Sequence, residues 1–197
     1  MAIKIVRFLI QSFVLMVSVS ACQTVLPAST SLPVGSTVAP PLGYDALCAR
    51  TPSECVLPIS KATNNMVGSL LIQAKSLVIP TWEEGGGDYW QSLTERGPGD
   101  CEDFALTLRR SLREVLPEYA GAFRLATAYT ETMQYHAVLT IETSQGTVVC
   151  DIRFPQCADW KTFPYKWHLR EVVGQRNWQD ISGEGSQFFA SVQSSMP

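Results

Sequence analysis

Between a Pro98-Gly99 break and Pro117, the chain places Phe104, Leu108, Leu112, Val115 and Leu116 at spacings of three and four, with Arg109, Arg110, Arg113 and Glu114 on the opposite side. That period is an α-helix half-buried against a core, and it limits the fold to one that docks such a helix. Asp100 stands where an N-cap belongs, and Asp103 three residues later takes the place of a capping-box partner. Cys101 is then the first helical residue. Unpaired peptide N–H groups and the helix macrodipole favour a thiolate there, so this cysteine is expected to be reactive, with a lowered pKa.

Asp100, Glu102 and Asp103 surround that thiol. A carboxylate beside a thiolate opposes its ionisation, and a bound cation would relieve the conflict. The three acids offer hard oxygen donors of the kind that hold calcium rather than a transition metal. The same acids would also serve as caps and dipole partners with no metal present.

Three strand-like segments follow the helix, at 123–129, 135–142 and 147–152, the last two separated by Ser144-Gln145-Gly146. Alternation puts His136, Val138 and Thr140 on one face of the second segment, and Val149 and Asp151 on one face of the third. Pairing of the two around the turn brings His136 and Asp151 to the same end of a hairpin, within reach of a hydrogen bond. With Cys101 these complete a set of nucleophile, base and orienter. The chain's other histidine, His168, sits among Tyr165, Lys166 and Trp167 with only Asp159 and Glu171 nearby in sequence, and is expected to be a surface or structural histidine.

The first residues set the compartment. Lys4 and Arg7 precede an apolar stretch over 8–19 that is too short to span a bilayer comfortably and suits a secretory signal. It ends in Val19-Ser20-Ala21-Cys22, the form of a lipoprotein signal (1–21) cleaved before a lipidated Cys22, with Gln23 after it favouring the outer membrane of a Gram-negative cell. Residues 22–41, rich in Pro, Ser, Thr and Val, read as a flexible tether, and 42–197 as one domain. A net charge of −3 with no basic stripe argues against a nucleic-acid partner.

Export means that cysteines pair unless chemistry keeps one free. Of six, Cys22 is assigned to lipid and Cys101 to chemistry, leaving Cys48, Cys55, Cys150 and Cys157. Cys48 with Cys55 and Cys150 with Cys157 is the preferred arrangement, since each pair closes a short loop containing a proline, although four cysteines allow three pairings. A further helix is expected over 61–77, with Met66, Leu70, Leu71, Ala74 and Leu77 on its inner side, and a mobile loop over 83–88. Tyr89 and Trp90 read either as core aromatics or as one wall of a cleft.

Gly99-Asp100-Cys101-Glu102-Asp103-Phe104-Ala105-Leu106, His136-Ala137-Val138-Leu139 and Val148-Val149-Cys150-Asp151 together resemble the three blocks of the bacterial transglutaminase-like cysteine proteinases. Pro40 to Tyr44 with Cys48 and Cys55, Asp88-Tyr89-Trp90 and Trp178 extend the resemblance over nearly the whole mature chain. It implies an α+β, papain-like or transglutaminase-like core, in which the helix bearing the cysteine packs on an antiparallel sheet. Cys101 would be nucleophile, His136 base and acid, and Asp151 orienter; Asp100, Glu102 and Asp103 would be calcium ligands.

The family's best-understood members are calcium-dependent periplasmic proteases that release large adhesins from the outer membrane. The resemblance therefore implies an exported peptidase acting on a protein substrate by thiol acyl transfer. Two other readings use the same residues: a crosslinking transglutaminase or amidase, in which an amine resolves the thioester, and a catalytically inactive lipoprotein that serves as a binding module. The chain departs from the family pattern in carrying Ile152-Arg153 after Asp151.

Overall fold

Arg109, expected on a solvated helix face, is fully buried, and the architecture is arranged around it. The computed structural model describes residues 23–25, 30–63, 65–81 and 88–183. The expected leader, Cys22 and residues 83–87 of the glycine-rich loop lie outside them.

In chain order the elements are β1 (Gln23–Val25), β2 (Thr37–Val38), α1 (Tyr44–Arg50), β3 (Asn65–Val67), α2 (Gly68–Leu77), β4 (Val78–Pro80), β5 (Gly97–Gly99) and α3 (Cys101–Val115). Then come β6 (Phe123–Tyr129), β7 (Tyr135–Thr143), β8 (Gly146–Cys150), β9 (Ala158–Asp159), β10 (Lys166–Glu171) and β11 (Trp178–Asp180). A seven-stranded sheet runs β2-β11-β10-β6-β7-β8-β9, antiparallel at every step. This α+β arrangement is the fold class expected from the sequence.

β6, β7 and β8 form because β-branched and aromatic residues alternate along them and short turns join them. The β6–β7 register pairs Phe123 with Ile141 through Tyr129 with Tyr135. The β7–β8 turn closes on Thr143 and Gly146, and Gly146 takes φ 132°, a conformation that requires the missing Cβ. Both faces of the sheet are buried. Leu125, Leu139, Ile141 and Val148 pack against α2 and α3, whereas Ala126, Val138 and Val149 lie beneath Trp160, Phe163, Tyr165 and Trp167. Alternation along β7 therefore separates two apolar cores instead of a core from solvent.

α3 begins at Cys101 as its pattern predicts, but it is buried almost all round, including Leu106 and Thr107. Arg109 is accommodated because acids meet it. Its Nη1 donates to both oxygens of Glu171 on β10 at 2.9 and 2.8 Å, and its Nη2 lies 2.7 Å from Glu54 Oε2. Glu171 also accepts from Tyr44 OH (2.9 Å) and Leu125 N–H (2.6 Å), and Arg113 shares Glu54 Oε2 at 2.8 Å. One guanidinium thus ties the central helix to the sheet and to the segment after α1.

Two expectations change. The helix drawn over 61–77 starts only at Gly68, because Asn65–Val67 pairs antiparallel with Gln23–Val25 and Thr63 N–H donates to Glu142 O at 3.0 Å. The flexible tether drawn over 22–41 does not describe residues 30–41. Leu32 is buried, its N–H bonds Thr147 Oγ1 at 2.9 Å, and β2 adds the edge strand beside β11. A segment rich in Pro, Ser and Thr has little helical period, but it has enough free backbone donors and acceptors to extend a sheet edge.

Removing one partner of a buried ion pair leaves an uncompensated charge, so Arg109→Ala is expected to cost about 3–5 kcal/mol of folding stability, read by urea unfolding.

Candidate active site

The start of α3 is set by β5, which runs parallel to β4 and delivers the chain to Asp100. A Cβ on Gly99 would lie 2.7 Å from Asp103 Oδ2, so only glycine lets that carboxylate cross the backbone. Asp103 is buried, and its Oδ1 accepts from Gln91 N–H at 2.8 Å. It fastens the preceding loop, and the group of side chains close enough together to hold an ion comprises Asp100, Cys101 and Glu102 without it. Asp100 occupies the N-cap position without a capping hydrogen bond from its side chain. Its carboxyl lies against Glu102 instead.

Cys101 is half-buried and, among the described residues, the free cysteine. Its thiol donates to Glu102 Oε2 at 3.2 Å, and its sulfur accepts from the Ala137 N–H at 3.3 Å. That second bond docks the helix start on β7 one residue from His136. His136 Nε2 lies 3.0 and 3.1 Å from the two oxygens of Asp151. Asp151 is fully buried just past the end of β8, and Cys150–Cys157 closes the loop that carries it. The other disulfide is Cys48–Cys55, the second of the expected pairs.

The Asp151 carboxyl lies below its ordinary value. Burial works to raise it, but hydrogen bonds from His136, Tyr165 and the Arg153 N–H, with the His136 charge, outweigh that. An ionised carboxylate only accepts, so His136 Nε2 carries the proton and Nδ1 is left as the basic nitrogen.

The thiol differs from expectation. Its pKa is pushed up, first by burial and then by the negative charge of Glu102, against the Ala137 N–H bond that favours the thiolate; Asp100 adds further repulsion. Helix-terminus stabilisation is a short-range effect of about 1 kcal/mol, which a buried acid in contact with the sulfur overrides. Glu102 is itself perturbed. Burial, then hydrogen bonds from its protonated form to Asp100 and Asp88, push it up to about 10.

Ligand atoms of Asp100, Cys101 and Glu102 all lie within 4.8 Å of one another. Among the described residues no donor reaches the buried Glu102 Oε1. An acid cluster that must protonate in order to stay buried is what a divalent, oxygen-seeking cation would relieve. Sequence reading missed Asp88, placing it in a mobile loop; Trp90 Nε1 donates to its Oδ2 at 2.8 Å and directs it toward Glu102. The neighbouring pattern Asp-x-Trp was the available signal.

Cys101 and His136 line one open cleft of about 1180 Å³, together with Pro41, Leu42, Tyr129, Tyr135 and His168. Trp90 serves in both ways considered for it. It is buried edge-on to Tyr44 and Trp178, and it borders the cleft. Gly43 (φ 87°) lies so close that a Cβ would sit 2.7 Å from the Trp90 indole. His168 hydrogen-bonds Tyr135 OH at 3.3 Å and meets Tyr129 at a tilt and Tyr135 edge-on, at the border of the cleft. A thiol, an imidazole oriented by a buried carboxylate and an open groove together are the parts needed for acyl transfer.

The sequence profile of the bacterial transglutaminase-like cysteine proteinases matches residues 34–186. Comparison with curated proteins finds no match. Among solved structures, calcium-bound and EGTA-treated LapG of Legionella pneumophila are each similar at 20% identity and a TM-score of 0.50. The match covers 66% of this chain in both cases, and 78% and 77% of theirs. At that identity the likeness shows the fold.

The Glu102 shift sets a pH dependence. The unfolded chain releases this proton near 4.5, whereas the metal-free fold keeps it until about 10, so metal-free stability falls as pH rises between the two. Glu102→Gln removes that penalty. In chelating buffer at pH 7 it is expected to raise the urea-unfolding free energy by about 1–3 kcal/mol, with a gain that vanishes below pH 4.

Proposed function

Because the chain belongs to the bacterial transglutaminase-like cysteine proteinases, we propose that it is an exported peptidase that cleaves a protein substrate through Cys101, His136 and Asp151. The observation that carries the reading is the His136 Nε2 bond to Asp151, on the strand whose Ala137 N–H holds the Cys101 sulfur. That arrangement turns His136 Nδ1 into the base available to the thiol. Cys101 attacks a peptide carbonyl, its proton passes to Nδ1, and the same imidazole then protonates the leaving amine. The Cys101 N–H at the helix start faces the developing oxyanion by position. Water taking the place of the amine, with His136 again as base, releases the acid product.

Calcium fits the acid cluster. Asp100 and Glu102 would hold it, with Asp88 beside them, and when bound it supplies the positive charge that offsets carboxylate repulsion around the thiol. The substrate class we favour, a cell-surface protein such as an adhesin, is supported by the family resemblance and by a groove open enough for an extended chain. The same reading places the protein in the periplasm, anchored by lipid on Cys22, most simply to the outer membrane. Among the described residues no helix is long and apolar enough to cross a membrane.

Incubation of the purified protein with outer-membrane fractions tests the proposal, with gel shifts reporting cleavage and dansylcadaverine reporting amine transfer. Cys101→Ala and His136→Ala are each expected to lower cleavage by at least about 10³-fold, while Asp151→Asn keeps a measurable residue. Full cleavage by Cys101→Ala would refute the mechanism, and amine incorporation without cleavage would favour the transglutaminase reading.

EGTA is expected to lower both cleavage and melting temperature and calcium to restore them; indifference of both to EGTA would exclude the calcium role. Cys22→Ser is expected to move the protein from the membrane to the soluble fraction, and unchanged fractionation would count against the anchor.

A further inference from the structure

Asp151 is held by more than His136. Its Oδ1 accepts from the Arg153 N–H at 2.8 Å, and its Oδ2 accepts a close hydrogen bond from the hydroxyl of Tyr165. We infer that Tyr165 is a positioning residue for this site, its hydroxyl fixing the Asp151 carboxylate that in turn orients the His136 ring; the inference rests on the Cys101, His136 and Asp151 reading above.

The Tyr165 ring has little freedom. It is fully buried, stacked on Phe163 at 5.7 Å, edge-on to Trp167 at 5.7 Å and edge-on to the His136 imidazole at 5.5 Å. The direction of its single proton follows from its other partner. Arg153 Nη1 lies 3.2 Å from the phenol oxygen, and a guanidinium only donates, so that oxygen accepts from Arg153 and its own proton points to Asp151. Arg153 is secured in turn by an ion pair with Glu131, in the turn between β6 and β7 beside the cleft. The groups that face Asp151 are His136, Tyr165, Arg153 and, through its charge, Lys75.

Losing the hydroxyl leaves Oδ2 short of a donor in a fully buried position. The carboxylate is then free to turn toward its remaining partners, and the His136 ring turns with it. The effect should appear in the ring and in the reactivity of the thiol as well as in a loss of stability from the under-satisfied carboxylate, since Tyr165→Phe keeps the packing but removes a donor.

The test uses the full chain with iodoacetamide as probe, following alkylation at Cys101 by peptide mapping at one fixed pH, together with imidazole ¹⁵N spectra and melting temperatures. Tyr165→Phe is expected to slow alkylation by about 3- to 10-fold, the worth of one hydrogen bond, and to replace the single Nε2–H tautomer of His136 by exchange between forms. Arg153→Ala, at a partly exposed side chain that leaves the backbone donor in place, should act in the same direction by a smaller factor. It carries the test if Tyr165→Phe fails to fold.

A parental rate and an unchanged Nε2–H signal in the folded variant overturn the inference if His136→Ala and Asp151→Asn do slow alkylation. If those two variants also react at the parental rate, the triad reading fails and takes this inference with it.

Discussion

The contact of Arg109 Nη1 with both carboxylate oxygens of Glu171 is the constraint on which the rest of the molecule depends. It joins the central helix to the middle of the seven-stranded sheet, and through Glu54 and Tyr44 it reaches the disulfide-closed segment after α1. A buried pair of this kind adds little to stability compared with an apolar replacement, yet it tolerates few alternative arrangements, since any shift in register strands a charge. The register matters because the end of the same helix carries the Cys101 sulfur. A helix that slid by one residue would move Cys101 away from the Ala137 N–H and from the strand that bears His136.

At the helix start two electrostatic effects compete, and distance decides between them. The open N–H groups and dipole of α3 favour a thiolate, but they act weakly beside a carboxyl 3.2 Å from the sulfur in a water-poor setting. Without a cation, Glu102 keeps its proton and Cys101 keeps its own. The acids around the cysteine therefore make its ionisation conditional on whatever neutralises them. At the other end of the site the balance is reversed. Asp151 stays ionised in full burial because three donors converge on it, and this leaves the imidazole in one tautomer.

Much of the site was legible because its parts fall on regular elements. The three-and-four spacing located α3, and the two-residue alternation brought His136 and Asp151 to one face of a hairpin. What escaped lay in irregular chain or depended on distant partners. Arg109 looked like a surface cation since helical pattern alone cannot reveal an acid on a strand sixty residues away. Asp103 looked like a capping-box partner of Asp100, three residues along, and by resemblance a calcium ligand, whereas the loop at Gln91 claims its Oδ1. Tyr165 occupies a segment with no period, so nothing local marks it as a neighbour of the site, and Asp88 is marked only by the Asp-x-Trp pattern.

The sequence by itself determined the elements and the chemical repertoire: a helix beginning at a cysteine, a hairpin bearing histidine and aspartate, and cysteines spaced to close short loops. These are local properties, written in spacing and residue type. Only the tertiary structure decided which acids face the thiol, which face the backbone, and which donors hold Asp151. Those outcomes depend on burial and on contacts between residues far apart in the chain. A carboxyl group has the same intrinsic chemistry at positions 102, 103 and 151, and its surroundings alone make one a protonated acid, one a fastening and one an ionised charge.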